Sequence, residues 1–295
     1  MNTKMKRYIG ISLAVLGTTA VMAEEVDEIM DAAPNGIVSI SNVAGSVEVE
    51  GWTRSQVQVT GELGDDVDEL VFERDGDEIL VRVKVPKRGS RDISSDLTVR
   101  VPRGSSVRVN TVSADIEVSG VEGEQRLEAV SGDIMTTVAG ADIDVDSVSG
   151  DIEVRGGRQA MRTRVNTVSG DFDSTNLAGE ISAESVSGDL TIDSGRFERA
   201  SLHTVNGDIE FRAALHGATR MDVETINGEV DIVFDGDLSA RFDIETFNGS
   251  IDNCFGPESV RTSRYAPGRE LKFNQGSGDG RVTIKTLNGD VTFCK

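Results

Sequence analysis

Eight carboxylates recur at near-regular intervals in this 295-residue chain: Asp115, Asp133, Asp151, Asp171, Asp189, Asp208, Glu229 and Asp290. Carboxylates in a row are what hard cations take as ligands, and in pairs they are what glycoside cleavage uses. A calcium ladder is the first chemistry to weigh, with Asp133, Asp151, Asp171, Asp189 and Asp208 as its candidate ligands. Stacked about 5 Å apart on neighbouring strands, like charges repel by about 1 kcal/mol in water, and a divalent ion would relieve this. Against it, the G-G-x-G-x-D nonapeptide of calcium-binding β-rolls is absent. A corner Asp that accepts a turn amide explains the same column without metal, and this is the favoured reading. Calcium aside, no cofactor is expected.

Other chemistry has less to stand on. His203 and His216 are the only histidines, and neither has a second histidine at ligand spacing. No Ser/His/Asp or Cys/His set stands in a believable context, so a nucleophilic triad is not expected. Each glycine corner leads into a strand, which excludes a phosphate-binding loop at a helix start. Polysaccharide lyases and hydrolases on β-helices use Asp, Arg and Lys, so a glycan-active enzyme is the rival reading. Its weakness is that periodic carboxylates single out no pair for acid–base work. Trp52 is a lone aromatic, read as a core or cap residue rather than a sugar platform.

What must position these residues is a repeat. The motif "VSGD" or "VNGD" places glycines at Gly132, Gly150, Gly170, Gly188, Gly207, Gly228, Gly249 and Gly289, with Ala114 in the equivalent earlier place. The intervals are 18, 18, 20, 18, 19, 21, 21 and 40 residues. Before the corner stands an apolar column of Val109, Leu127, Val145, Val165, Ala183, Leu202, Val223, Ile244 and Ile284. After it stands a second, of Ile116, Ile134, Ile152, Phe172, Leu190, Ile209, Val230, Ile251 and Val291. Apolar and polar residues alternate on both sides, the mark of a half-buried strand twice per repeat. The fold expected is therefore an all-β parallel β-solenoid with coils of about 18–21 residues. The corner glycines are expected to supply positive φ. The column before them is Ser at 113, 131, 149, 169 and 187, then Asn at 206, 227, 248 and 288. Like side chains stacked this way can hydrogen-bond up a ladder.

Residues 24–106 lack the regular period but keep its grammar, with Val43-Ala44-Gly45-Ser46 in a corner position and a hairpin expected around Asp75-Gly76. They are read as irregular coils or a cap, continuous with the regular stack of 107–295. Cys254 and Cys294 each lie five residues after a motif glycine. If the intervening segment loops out, they meet on neighbouring rungs and form a disulfide. Residues 1–23, with Lys4, Lys6 and Arg7 before an apolar run, read as a signal peptide cleaved before Glu24. The run is short for a membrane span and no later stretch supplies one. An exported chain is expected, periplasmic or secreted to the cell surface and soluble.

Removing the three basic leader residues takes the formal charge from −21 to −24. So acidic a chain repels nucleic acid and anionic lipid, and solubility is the plain reading of the charge. Basic residues gather at Arg82, Lys84, Lys87, Arg88, Arg91, Arg100, Arg103 and Arg108, and again at Arg155, Arg158, Arg162 and Arg164. Solvated loops that soften the acid excess are the favoured account; docking to envelope phosphates or carboxylates is the alternative.

Three stretches carry a family resemblance: "SISNVAGSVEVEGW", the repeated "TVSGD" and "TxNGD" corners, and "GDGRVTIKTLNGDVTFCK". Over roughly residues 26–295 the chain resembles the bacterial putative adhesin family of β-strand-repeat proteins, domain of unknown function 4097. The resemblance implies an exported β-helical protein with an adhesive role and offers no catalytic or binding residues to transfer. The expected function is a non-enzymatic adhesin or envelope-surface binding scaffold whose partner is a protein or glycan. A periplasmic structural or stress-response protein is the alternative.

Overall fold

The structure, a computed structural model, describes residues 24–86 and 92–295. The signal-peptide segment and Lys87, Arg88 and Arg91 of the first basic group lie outside the described residues. All assigned regular structure is strand, hydrogen-bonded into one large, mostly parallel sheet. Repeat stacks on repeat in the register set by the motif. Val145 pairs with Leu127 on one side and Val165 on the other, and Ser149 with Ser131 and Ser169. Beyond each corner the same holds, with Ile152 between Ile134 and Phe172. Both apolar columns are buried and form one narrow core along the stack. Alternation before the corner and a shifted alternation after it turn both halves of each repeat inward onto that core.

The register departs from chain order at both ends. The last strands, Gly280–Asn288 and Val291–Cys294, lie between the rung of Ile209–Asn227 and Val230–Phe234 and the rung of Ala240–Asn248 and Ile251–Asn253. The final rung is thus inserted between two earlier ones. At the other end, Ile37–Trp52 sits between Ser106–Ser119 on one side and Glu78–Lys84 with Ser94–Pro102 on the other. Gly45 pairs with Ala114, as the shared grammar predicts. The hairpin forms at Asp75-Gly76, where Gly76 has φ 65°.

Antiparallel strands close both edges. Gln56–Leu63 pairs with Ser94–Pro102 and in turn with Glu24–Asp31. Arg269–Gln275 covers the outer edge of Ala240–Asn248. Lys272 fastens this second cover: its Nζ lies 3.0 Å from Glu245, 3.2 Å from Glu270 and 3.5 Å from Asp243. Its hydrogen bonds to Glu245 and Glu270, with the charge of Asp243, hold its ammonium well above the ordinary lysine range. Scarce aromatic residues gather at this end. Phe242 stacks on Phe273 with centroids 4.6 Å apart and lies 5.9 Å from Phe293.

Cys254 and Cys294 form a disulfide, with Cα atoms 4.9 Å apart, and it ties the inserted rung to the rung outside it.

Candidate functional site

The corner is built from close approach as much as from dihedral angle. Gly188 has φ 155°, but Gly207 does not share the left-handed conformation. At both, a Cβ would run into the carbonyl oxygen of the corner glycine one rung below. The expected positive φ is present at Gly132, Gly150, Gly170, Gly188 and Gly289, but at Gly207, Gly228 and Gly249 the demand for glycine is set by the neighbouring rung.

The two polar columns beside the glycine then lock rung to rung. Asn227 Nδ2 donates to Asn206 Oδ1, Asn288 to Asn227 and Asn248 to Asn288, each at 2.8 Å. Asparagines ladder as predicted, in the order of the inserted rung. The serine hydroxyls make no such bond among the described residues. In the Asp column, the backbone N–H of Asp133 donates to Asp115 Oδ1 at 2.9 Å, and the pattern repeats at Asp151, Asp171, Asp189, Asp208 and Glu229. Ser250 N–H donates likewise to Asp290 Oδ1. Each aspartate therefore holds the amide of the next rung, not one within its own turn, which amends the expected geometry. One oxygen of each carboxylate in this chain of bonds is occupied. No group of three or more His, Cys, Asp or Glu side chains among the described residues is arranged to hold a metal ion.

One column was not singled out from sequence. Val112, Val130, Val148, Val168, Val186, Val205, Ile226, Leu287 and Phe247 stand on successive rungs, each 37–49% exposed. Inward of them lie buried Thr111, Ser147, Thr167, Ser185 and Thr204. Their signal was present: in the alternation that buries Val109 and Thr111, position 112 points outward. With the outward column beginning at Asn110, they form two shallow grooves of about 530 and 630 Å³. The nine side chains form an exposed apolar ladder that runs along the stack between polar neighbours.

His203 and Glu224 line the second groove; Ser201 Oγ lies 2.9 Å from His203 Nε2, and His203 Nδ1 lies 3.8 Å from Glu224. This trio of Ser, His and carboxylate was not anticipated. It has the order of a hydrolase triad without its setting. The rungs on both sides are paired in register at Ser201, His203 and Glu224, and Lys285 Nζ lies 3.3 Å from the other carboxylate oxygen of Glu224. The backbone of these strands is paired to neighbours on both sides. His216 is exposed on the next strand, Ile209–Asn227.

The basic groups found in sequence are largely paired. Arg100 meets Glu50 at 2.8 Å, Lys84 meets Glu69, and Arg162 lies within 4 Å of Asp142 and Glu180. Trp52 donates its indole N–H to the Gln56 carbonyl at 2.7 Å and carries Arg54 over its ring, a cap role.

An all-β stack of parallel repeats, closed by antiparallel strands and bearing side-chain ladders on its corners, defines a class of β-repeat proteins. The chain belongs to the Toastrack DUF4097 family, whose model matches residues 37–293. Solved structures similar to it include a putative adhesin from Bacteroides fragilis, 10% identical, with 92% of this chain and 97% of that chain covered and a TM-score of 0.45. A putative lipid binding protein from Parabacteroides distasonis is 11% identical, with coverage of 92% and 97% and a TM-score of 0.38. A putative adhesin from the same species is 12% identical, with the same coverage and a TM-score of 0.35. No curated protein matches.

Proposed function

We propose that this chain is an exported, non-enzymatic binding scaffold, a parallel β-solenoid whose laddered corner flank adheres to an envelope or surface component. The observation that carries the reading is the aliphatic ladder from Val112 to Phe247. Exposed apolar side chains repeated on nine rungs are costly to leave in water and useful only against a partner. Binding by a repeated flank also needs no special residue, in keeping with corners that are nearly identical from rung to rung. No helix among the described residues is long and apolar enough to cross a membrane.

The test uses the leaderless protein, labelled and added to intact bacterial cells and to isolated envelopes. The triple variant V148K/V168K/V186K is expected to bind at least tenfold more weakly than the wild type, with unchanged melting. Equal binding by both proteins overturns the reading. Binding confined to isolated envelopes, lost in the variant, assigns the scaffold to the periplasmic side.

A further inference from the structure

On the face that leads into the corner, four arginines occupy one outward column on successive rungs. Arg199 pairs in register with Arg220, Arg220 with Arg281, and Arg281 with Arg241. All four are exposed. Arg199 is neutralised by Glu180 at 2.7 Å. Arg220, Arg281 and Arg241 have no ion pair or hydrogen bond from their guanidinium groups among the described residues, whereas Arg100, Arg126, Arg155 and Arg162 all have carboxylate partners. Three unpaired guanidinium groups one rung apart, in a chain with a formal charge of −21, repel one another until an anion lies across them. Only the inserted last rung completes this row, because it brings Arg281 between Arg220 and Arg241.

We infer that the Arg220–Arg281–Arg241 row binds a linear acidic polysaccharide, one carboxylate to each rung. Two features select this chemistry. First, the cations repeat at the rung spacing, about 4.8 Å, which is close to the advance of a linear polymer of pyranose rings. Second, the next outward column carries Asp222, Thr283 and Asp243, acceptors beside the donors, with Asp243 also 3.5 Å from the Lys272 ammonium. Sugar hydroxyls can donate to those carboxylates, whereas a polyphosphate has only negative oxygens to set against them. Asp279, two residues before Arg281, further disfavours an anion without donors. Arginine suits the task because its fork holds a carboxylate through two hydrogen bonds.

The inference deepens the binding-scaffold reading by naming a ligand class, but it uses a different column from the aliphatic ladder, so the two fail separately. The experiment is native affinity electrophoresis of the leaderless protein in gels containing polygalacturonate, neutral dextran or polyphosphate. Retardation is expected with polygalacturonate, none with dextran, and at most weak retardation with polyphosphate. The variant R220Q/R281Q/R241Q should lose at least tenfold in affinity while melting no lower than wild type, since the replaced groups have no partners. R82Q/R103Q/R164Q makes the same change in net charge at arginines that do not form one row, and should bind like wild type. With oligogalacturonides of increasing length, affinity should rise until each unpaired arginine has a carboxylate and then flatten. The inference is overturned by equal loss in the two triple variants, by polyphosphate binding as well as polygalacturonate, or by no retardation at all. Loss of cell binding in the valine variant with polygalacturonate binding intact would leave this site standing alone.

Discussion

Gly207 tests what a corner residue does. Its Cβ would strike the Gly188 carbonyl, so Gly207→Ala should destabilise the protein by about 3 kcal/mol, the upper end of the usual range of overpacking. At Gly76, φ is 65° but nothing lies within reach of a Cβ, so Gly76→Ala should cost only about 1 kcal/mol. Urea titration of both variants separates close approach from dihedral strain; equal losses would remove the distinction. The aspartates make a second comparison. Asp171→Ala removes the acceptor of the Asp189 amide and should cost about 1 kcal/mol. Asp171→Asn keeps an acceptor and relieves repulsion along the column, so it should be close to neutral. If calcium occupies the column, Asn will be as damaging as Ala, and millimolar calcium will raise the melting temperature of wild type. For Ser201, an activated-serine probe of the fluorophosphonate class is expected to leave the hydroxyl unlabelled; labelling lost on His203→Ala would instead make the trio a nucleophilic site.

Strands, not single residues, decide how the C-terminal end holds. The inserted Gly280–Asn288 strand pairs along both edges, and its partner Val291–Cys294 ends in the disulfide. Closing a loop of 40 residues is worth about 4 kcal/mol in the chain-entropy model. Cys254→Ser with Cys294→Ser should therefore lower the melting temperature and release hydrogen-exchange protection first in 240–253 and 280–294. Phe242→Ala, which empties the centre of the phenylalanine cluster, should cost about 3–5 kcal/mol. Lys272 acts on the cover strand. Because its carboxylate partners raise its affinity for a proton, its contribution is complete below the ordinary lysine range and is lost only as pH rises through the elevated value. Protection of 269–275 should thus survive mild alkali but fall in Lys272→Met.

Across the whole molecule, the sequence pattern reveals what is periodic and conceals what breaks the period. Columns such as Val145 and Ile152, the Asn ladder and the cysteine pairing were legible because one interval near 20 residues fixes neighbours on both sides. The interval of 40 residues before Gly289 is compatible with a last rung at the end of the stack or within it, and only pairing of Asn288 with both Asn227 and Asn248 distinguishes them. For the same reason Arg281 could not be placed beside Arg220 in advance. The aliphatic ladder was hidden differently: the alternation of Val109 and Thr111 turns position 112 outward, but a valine in a strand reads as core by its type. The Ser201–His203–Glu224 trio spans two rungs and has no local signature. The caps were visible as strands but not as antiparallel covers, because edge closure depends on which strand is left unpaired.

The interlocked ends also constrain how such a stack can change in length over evolutionary time. A rung gained by duplication can enter between residues 125 and 213, where each repeat contacts equivalent neighbours in chain order. It cannot simply be appended at either terminus. There the first rung is already flanked by later segments, and the last is flanked by earlier ones. Growth is therefore medial, and the two ends travel outward as intact units, with their covers and their disulfide, as the interior lengthens.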